Sequence, residues 1–456
     1  MNTDHLIALD KKHLWHPFTP NDIWLDDLFT PIVVESGSGS LLTDTNGKTY
    51  LDGNSSIWTN LHGHRHPRIH QAIRDQLDQI AHVSSLGLTN TQAPVLAEKL
   101  CHATGLDRCF LSDDGSTAME TALKMVIQYF QQNGEPDRTT IISLADGYHG
   151  DTVGAMSMGH SKVFHKAYGS LLFPAIEVSS PASYRSPYNR AKPRPADARS
   201  YAETQGECLR ELEQAFQQAG SGKVAALVLE PRVQGAAGFL MHPHGYLKEA
   251  AAIAHQHGAR LILDEVMTGF GRTGKDFAFQ HENVQPDVIA LAKGITSGTL
   301  PLAATLCREA LFQGFSGDLS KTFYHGHSYS GNPLGCAAAI ASWEELHTPE
   351  CQSARREIEN SLRAVGATFW QHPHVGDVRQ EGCILAIELV AHTATRESFP
   401  YEQRIGAAIC LEASRHGLLT RPVGDVLVLM PPYSTSGEQV LQMGEILLTA
   451  THTLLG

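Results

Sequence analysis

The 456-residue sequence predicts an α/β fold, with a large domain on a mostly parallel, doubly wound sheet and a smaller α+β domain. Two observations predict it. From about residue 68 to about 310, short apolar runs alternate with amphipathic stretches, the rhythm that builds parallel sheets. After about residue 336 the pattern changes to helix with shorter strands. The expected divisions are an N-terminal segment 1–65 that contributes to the small domain, a large domain 66–335 and a C-terminal domain 336–456.

The elements follow in chain order. Trp15-His-Pro17-Phe18-Thr-Pro20 carries two prolines, which favour extended or turn backbone over helix. Ser36 to Ser40 reads as a turn, and Leu41 to Leu51 as a hairpin around Asn46-Gly47. Ser112-Asp-Asp-Gly115-Ser116 opens an amphipathic helix over Thr117 to Gln131; a glycine turn before a helix start exposes N–H groups that suit an anion, or simply caps the helix. Strands are expected at Thr140 to Leu144, Ala225 to Glu230, Leu261 to Asp264 and Val288 to Ala292, with a helix over Tyr246 to His257. Ser179 to Tyr201, rich in Pro, Arg and Ser, reads as a long surface excursion. Cys383 to Leu389 and Val426 to Met430 read as strands of the smaller domain.

Composition narrows the chemistry. A formal charge of −13 argues against nucleic acid or an anionic membrane as partner. The sequence contains no apolar stretch long enough to span a bilayer and no signal-peptide pattern. Eight cysteines form no Cys-x-x-Cys pair, a spacing that fits reduced thiols in a cytoplasmic enzyme. The histidines at 62, 64, 66, 325 and 327 complete no metal-ligand set, so they are expected to serve as hydrogen-bonding groups.

Two charged residues carry the functional reading. The run Arg260-Leu-Ile-Leu-Asp264 ends in acid, and Asp287-Val-Ile-Ala-Leu-Ala-Lys293-Gly294 ends in an amine. Charged groups at the C-terminal tips of parallel strands face the crevice where open α/β sheets bind ligands. Pyridoxal phosphate needs a lysine for its Schiff base and an acid for its pyridinium nitrogen. Tyr148, in the Gly-rich turn after the Thr140 strand, offers a ring to stack on such a cofactor, or is only a half-buried turn residue.

With these residues stand Leu263 to Gly274, Pro286-Asp287, Ala292-Lys293-Gly294, Tyr148-His149-Gly150 and Glu230 to Gly235. Together they resemble the class III (ornithine-aminotransferase-like) pyridoxal-phosphate enzymes over essentially the whole chain. His13 to Thr19, Asp52 to Trp58, His325 to Tyr329 and Arg421 to Asp425 look like the 7,8-diaminopelargonate synthase branch. The resemblance implies the PLP-dependent aminotransferase fold type I and transfer of an amino group to 8-amino-7-oxononanoate in biotin biosynthesis. Lys293 would hold the cofactor and carry the proton, Asp264 would keep the pyridine nitrogen protonated, and Tyr148 would stack on the ring. Gly115, Ser116, His327 and Ser328 would hold the phosphate end, with Ser328 arriving from a second subunit of a homodimer. Phe18, Ile57, Trp58, Tyr148, Gly326 and Arg421 would line the substrate path, Arg421 taking a carboxylate.

The resemblance leaves the donor open. Members that use S-adenosylmethionine carry tyrosine, tryptophan and phenylalanine where this chain has Phe18, Ile57 and Val423, and another branch is thought to use lysine. An aminotransferase acting on an ω-amino acid or diamine is the nearest alternative. A more distant one comes from Gly269-Phe-Gly271-Arg-Thr-Gly274, which fits a dinucleotide fingerprint and would make the chain a nicotinamide-dependent dehydrogenase. That fingerprint requires a helix on its last glycine, and the aromatic, proline-ended stretch that follows predicts none.

Overall fold

A computed structural model describes residues 2–26, 29–159, 161, 163–186, 188 and 201–456. Seven strands form the central sheet: β1 (Arg108–Ser112), β2 (Thr140–Leu144), β3 (Ile176–Val178), β4 (Val224–Leu229), β5 (Arg260–Asp264), β6 (Val288–Leu291) and β7 (Ala303–Cys307). Their order is β1-β7-β6-β5-β4-β2-β3. Only β7 runs against the direction of the other six strands, so the sheet is mostly parallel, as the sequence predicts.

Why these runs are continuously apolar is now visible. In β4, Leu227 and Leu229 pack into one core, while Ala226 and Val228 pack into another on the opposite face. Side chains alternate faces with a period of two, so a strand covered on both sides has no polar face to show. Helix α1 (Gly115–Gln132) covers one face, burying Ala118, Met119, Ala122, Val126 and Phe130 at helical spacing. Asp114 caps it, accepting from Thr117 N, while Thr117 returns a bond from the Asp114 N–H. Such a cap is worth about 1 kcal/mol. Tyr246–Gln256 covers the other face, as expected.

Among the described residues three smaller sheets accompany the central one, one of them only the short pair Val233–Gln234 and Leu240–Met241. Val375–Glu381, Ile384–Leu389 and Val426–Leu429 pair antiparallel. The expected hairpin is present as Leu41–Asp44 and Thr49–Asp52, and Thr49–Asp52 also pairs in parallel with Leu418–Leu419, tying the N-terminal segment to the C-terminal one.

Two expectations need correction. Ser36 to Ser38 belong to a strand, Val34–Ser38, because each pairs with the Leu41–Asp44 strand; the turn is confined to Gly39 and Ser40. The stretch expected as a surface excursion from Ser179 starts inside: Pro181 to Tyr184 are buried. Arg185 Nε donates to Glu388 at 2.6 Å and Arg396 donates to the Tyr184 carbonyl, which pins this start to the strand Ile384–Leu389 and the segment after it. Residues 187 and 189–200 of that stretch lie outside the described residues.

Candidate active site

Five parallel strands end at one cleft of about 700 Å³. Gly115 and Ser116 follow β1, Tyr148 and His149 follow β2, Glu230 follows β4, Asp264 ends β5 and Lys293 follows β6; all line the cleft. This is the carboxyl-end crevice of an open α/β sheet.

Asp264 is buried and aimed from both sides. Its Oδ1 accepts from Val266 N at 3.0 Å, and its Oδ2 accepts from His149 Nδ1 at 2.8 Å. Burial alone would lower the His149 pKa, but the bond to Asp264 and its charge raise it overall. The ring and the carboxylate thereby hold each other in one orientation. Glu230 accepts from Tyr148 N and Gly235 N, and its own burial pushes its pKa up to about 7.

Lys293 stands half-buried at φ +45°, a left-handed conformation rarely adopted by a side-chain-bearing residue. Burial pushes its amine below the ordinary lysine value, with Asp264 and Glu230 opposing. Its Nζ lies 5.5 Å from the centre of the Trp58 ring. Trp58 also lines the cleft and meets Phe239 edge-on at 5.0 Å; its buried Nε1 has no partner among the described residues.

At the other end, α1 begins. A helix leaves its first N–H groups outside its own ladder, and those of Gly115 and Ser116 stand at the cleft wall. Ser116 Oγ pairs with Thr152 Oγ1 at 2.8 Å and accepts from Thr152 N. Gly150 lets Ser116 approach: at φ +120°, any Cβ there would stand 2.4 Å from Ser116 Oγ. Tyr148 donates its hydroxyl to Asp151 at 2.8 Å, and burial raises its pKa, so the phenol stays protonated.

Of the residues expected from the sequence, the fold brings Lys293, Asp264, Tyr148, Gly115, Ser116 and Trp58 together in the cleft. Phe18, Ile57, Gly326, His327, Ser328 and Arg421 are not among its lining residues in a single chain. Phe18 nonetheless meets Phe164 edge-on at 5.5 Å, Phe164 meets Tyr148 at 5.9 Å, and Arg421 donates to the Phe18 carbonyl at 3.2 Å. His327 Nε2 stands 3.6 Å from Asp113, which lines the cleft. The sequence reading gave no role to His149, Gly150, Thr152 or Glu230. Glu230 carries the same signal as Asp264, an acid at the end of an apolar run.

The aminotransferase class-III family model matches residues 26–451. The chain belongs to that family. As a class III aminotransferase it is a pyridoxal-phosphate-dependent enzyme that transfers amino groups. The Geobacter sulfurreducens adenosylmethionine-8-amino-7-oxononanoate aminotransferase is 42% identical over 462 residues, covering 100% of this chain and 99% of that one. A crystal structure of the protein of that name from Methanocaldococcus jannaschii superposes with a TM-score of 0.91 at 35% identity, covering 100% of both chains. An amine transaminase from an uncultivated Pseudomonas species, in its PLP-bound form, superposes at 0.90 and 33% identity, over 97% of this chain and 99% of that one. The dehydrogenase reading is thereby excluded, and Gly274 indeed leads into turns and a short 3₁₀ segment (Ala278–His281), not a helix.

The cleft of this class III aminotransferase fits pyridoxal phosphate on its own terms. It offers an amine depressed by burial, a carboxylate locked by two donors, and a helix start cleared by Gly150.

Proposed function

We propose that this enzyme transfers an amino group to 8-amino-7-oxononanoate, forming 7,8-diaminononanoate for biotin, with S-adenosylmethionine or lysine as donor. The observation that carries this is the full-length 42% identity to a relative named for that acceptor and for adenosylmethionine. Bound pyridoxal phosphate supplies an aldehyde and an electron-withdrawing ring that stabilises negative charge at the substrate carbon. Lys293 would hold the aldehyde end and, as a neutral amine, take and return the proton at Nζ. Asp264, fixed by His149 and Val266, would hold a proton on the ring nitrogen. Gly115 and Ser116 would bind the phosphate through their N–H groups. Tyr148 and Trp58 would wall the ring and the substrate path, with Phe18, Ile57 and Arg421 at the mouth.

Ser328, which follows Gly326 and His327, would reach a second subunit's cleft. Nearby Leu86, Leu319 and Tyr324 are 89%, 83% and 77% exposed in one chain, which supports a homodimer covering them. All eight cysteines are free, in keeping with a cytoplasmic enzyme, and no helix among the described residues is long and apolar enough to cross a membrane.

The amine transaminase likeness supports a second reading, an ω-aminotransferase of broader range. A half-reaction screen separates the two. Cofactor-loaded enzyme is mixed separately with S-adenosylmethionine, lysine, ornithine and β-alanine, and the aminated enzyme is then offered 8-amino-7-oxononanoate. Turnover of that acceptor supports the biotin reaction; inertness toward it, with amination intact, leaves the broader aminotransferase.

A further inference from the structure

Trp58 reaches the cleft from an unusual piece of backbone. Ser55, Ser56, Ile57 and Trp58 have φ of +48°, +48°, +62° and +68°, four consecutive side-chain-bearing residues in the left-handed region. L-residues visit that region singly; a full turn of it is disfavoured at every step and relaxes unless something outside the turn holds it.

Asp52 is placed to do so. It is buried, and its Oδ1 accepts from the backbone N–H groups of Asn54 at 3.3 Å and Ser56 at 3.0 Å. Its Oδ2 accepts from Ser56 Oγ at 3.1 Å and lies 2.9 Å from His64 Nε2. A further tether joins Ser55 Oγ to the Met430 carbonyl at 2.6 Å. Downstream, the turn closes through Trp58 N to Asn54 O and Thr59 N to Ser55 O.

We propose that Asp52 is a positioning residue for amino transfer: its carboxylate holds residues 55–58 left-handed, and that turn holds Trp58 in the cleft over Lys293. The proposal rests on the reading of the cleft as the transamination site. It makes a demand that a merely structural carboxylate would not make. If the task of Asp52 is to hold disfavoured dihedrals, a residue that adopts them freely should replace part of that task. Glycine does so, taking positive and negative φ about equally. Ser56 is the place for it, because the hydroxyl it would lose is bonded to Asp52 itself.

The test compares wild type, Asp52→Ala, and Asp52→Ala combined with Ser56→Gly, all loaded with cofactor. Amide hydrogen exchange of the peptide spanning 53–61 is followed beside the kinetics of a donor half-reaction. Asp52→Ala is expected to speed exchange in that peptide about tenfold and to lower kcat/KM about tenfold at unchanged cofactor content. The added Ser56→Gly is expected to recover most of both. Should Asp52→Ala fail to fold, Asp52→Asn keeps one acceptor oxygen and puts an uncharged amide donor where the carboxylate accepted from Ser56 Oγ and faced His64, giving the same comparison at smaller amplitude. Wild-type exchange and kinetics in the aspartate variants, or losses that glycine does not recover, overturn the proposal. A wild-type enzyme silent in the half-reaction would instead count against the assigned chemistry, since the exchange comparison needs no turnover.

Discussion

His149 donates through Nδ1 to Asp264 Oδ2 at 2.8 Å, both groups buried behind the cleft. Burial would lower the His149 pKa, but its charged partner raises it overall. A histidine whose folded pKa is raised binds its proton more tightly when folded. Its stabilisation is complete below the unfolded value of about 6.5 and is lost as pH rises through the folded value. The melting temperature of wild type is therefore expected to fall from about pH 6 to about pH 9 more steeply than that of His149→Asn, which has no titrating ring. Equal slopes would show that this pair carries no proton linkage.

Lys293 gives the opposite sign. Burial favours its neutral form below the ordinary lysine range. A neutral amine both attacks an aldehyde and accepts a proton, so capture of pyridoxal phosphate by cofactor-free protein is expected to accelerate with pH well below about 10.4. Lys293→Ala should slow the donor half-reaction about 10²–10⁴-fold while leaving the fold intact, as circular dichroism would report. A near-wild-type rate in that variant would remove Lys293 from the reaction.

Much of this was legible beforehand, for a physical reason. Strands covered on both faces read as unbroken apolar runs, so the charged residues that end them, Asp264 and Lys293, stand out against the pattern. The helix start at Gly115 was readable from glycine and cap chemistry. What the sequence hid was contact between distant segments. Nothing local says that Gly150 must clear space for Ser116, or that Arg421 meets the Phe18 carbonyl 403 positions away. Nor does Ser-Ser-Ile-Trp announce a left-handed turn. Its cost of about 1–2 kcal/mol per residue is met by Asp52, His64 and Met430, a set assembled only by folding. Ser328 shows the remaining gap, since a residue expected at another subunit's site cannot be placed by one chain.

Arg421 is exposed, and its guanidinium donates to the Phe18 carbonyl at 3.2 Å. A forked guanidinium there suits the carboxylate of a long acceptor, and such a charge-assisted contact is worth about 1.5–3 kcal/mol. Arg421→Ala is expected to raise the KM for 8-amino-7-oxononanoate about 10–100-fold with little change in kcat. The methyl ester of the acceptor should lose the difference between wild type and variant. A kcat loss at constant KM would place Arg421 in the chemistry instead of at the substrate's tail.

Gly150 offers the sharpest test of the phosphate end. At φ +120° it has a conformation that L side chains rarely adopt, and an added Cβ would lie 2.4 Å from Ser116 Oγ and 2.7 Å from Ser116 Cα. The second atom is backbone, so no rotamer change relieves the clash. Gly150→Ala must therefore displace the first turn of α1 and stretch the Ser116–Thr152 bond. A loss of about 1–3 kcal/mol in stability is expected from the dihedral strain. Binding should discriminate where the damage lies. If Gly115 and Ser116 hold a phosphate, the variant loses affinity for pyridoxal phosphate much more than for pyridoxal, which lacks that group. Equal losses for both would mean that Gly150 serves the fold and that the phosphate is held elsewhere.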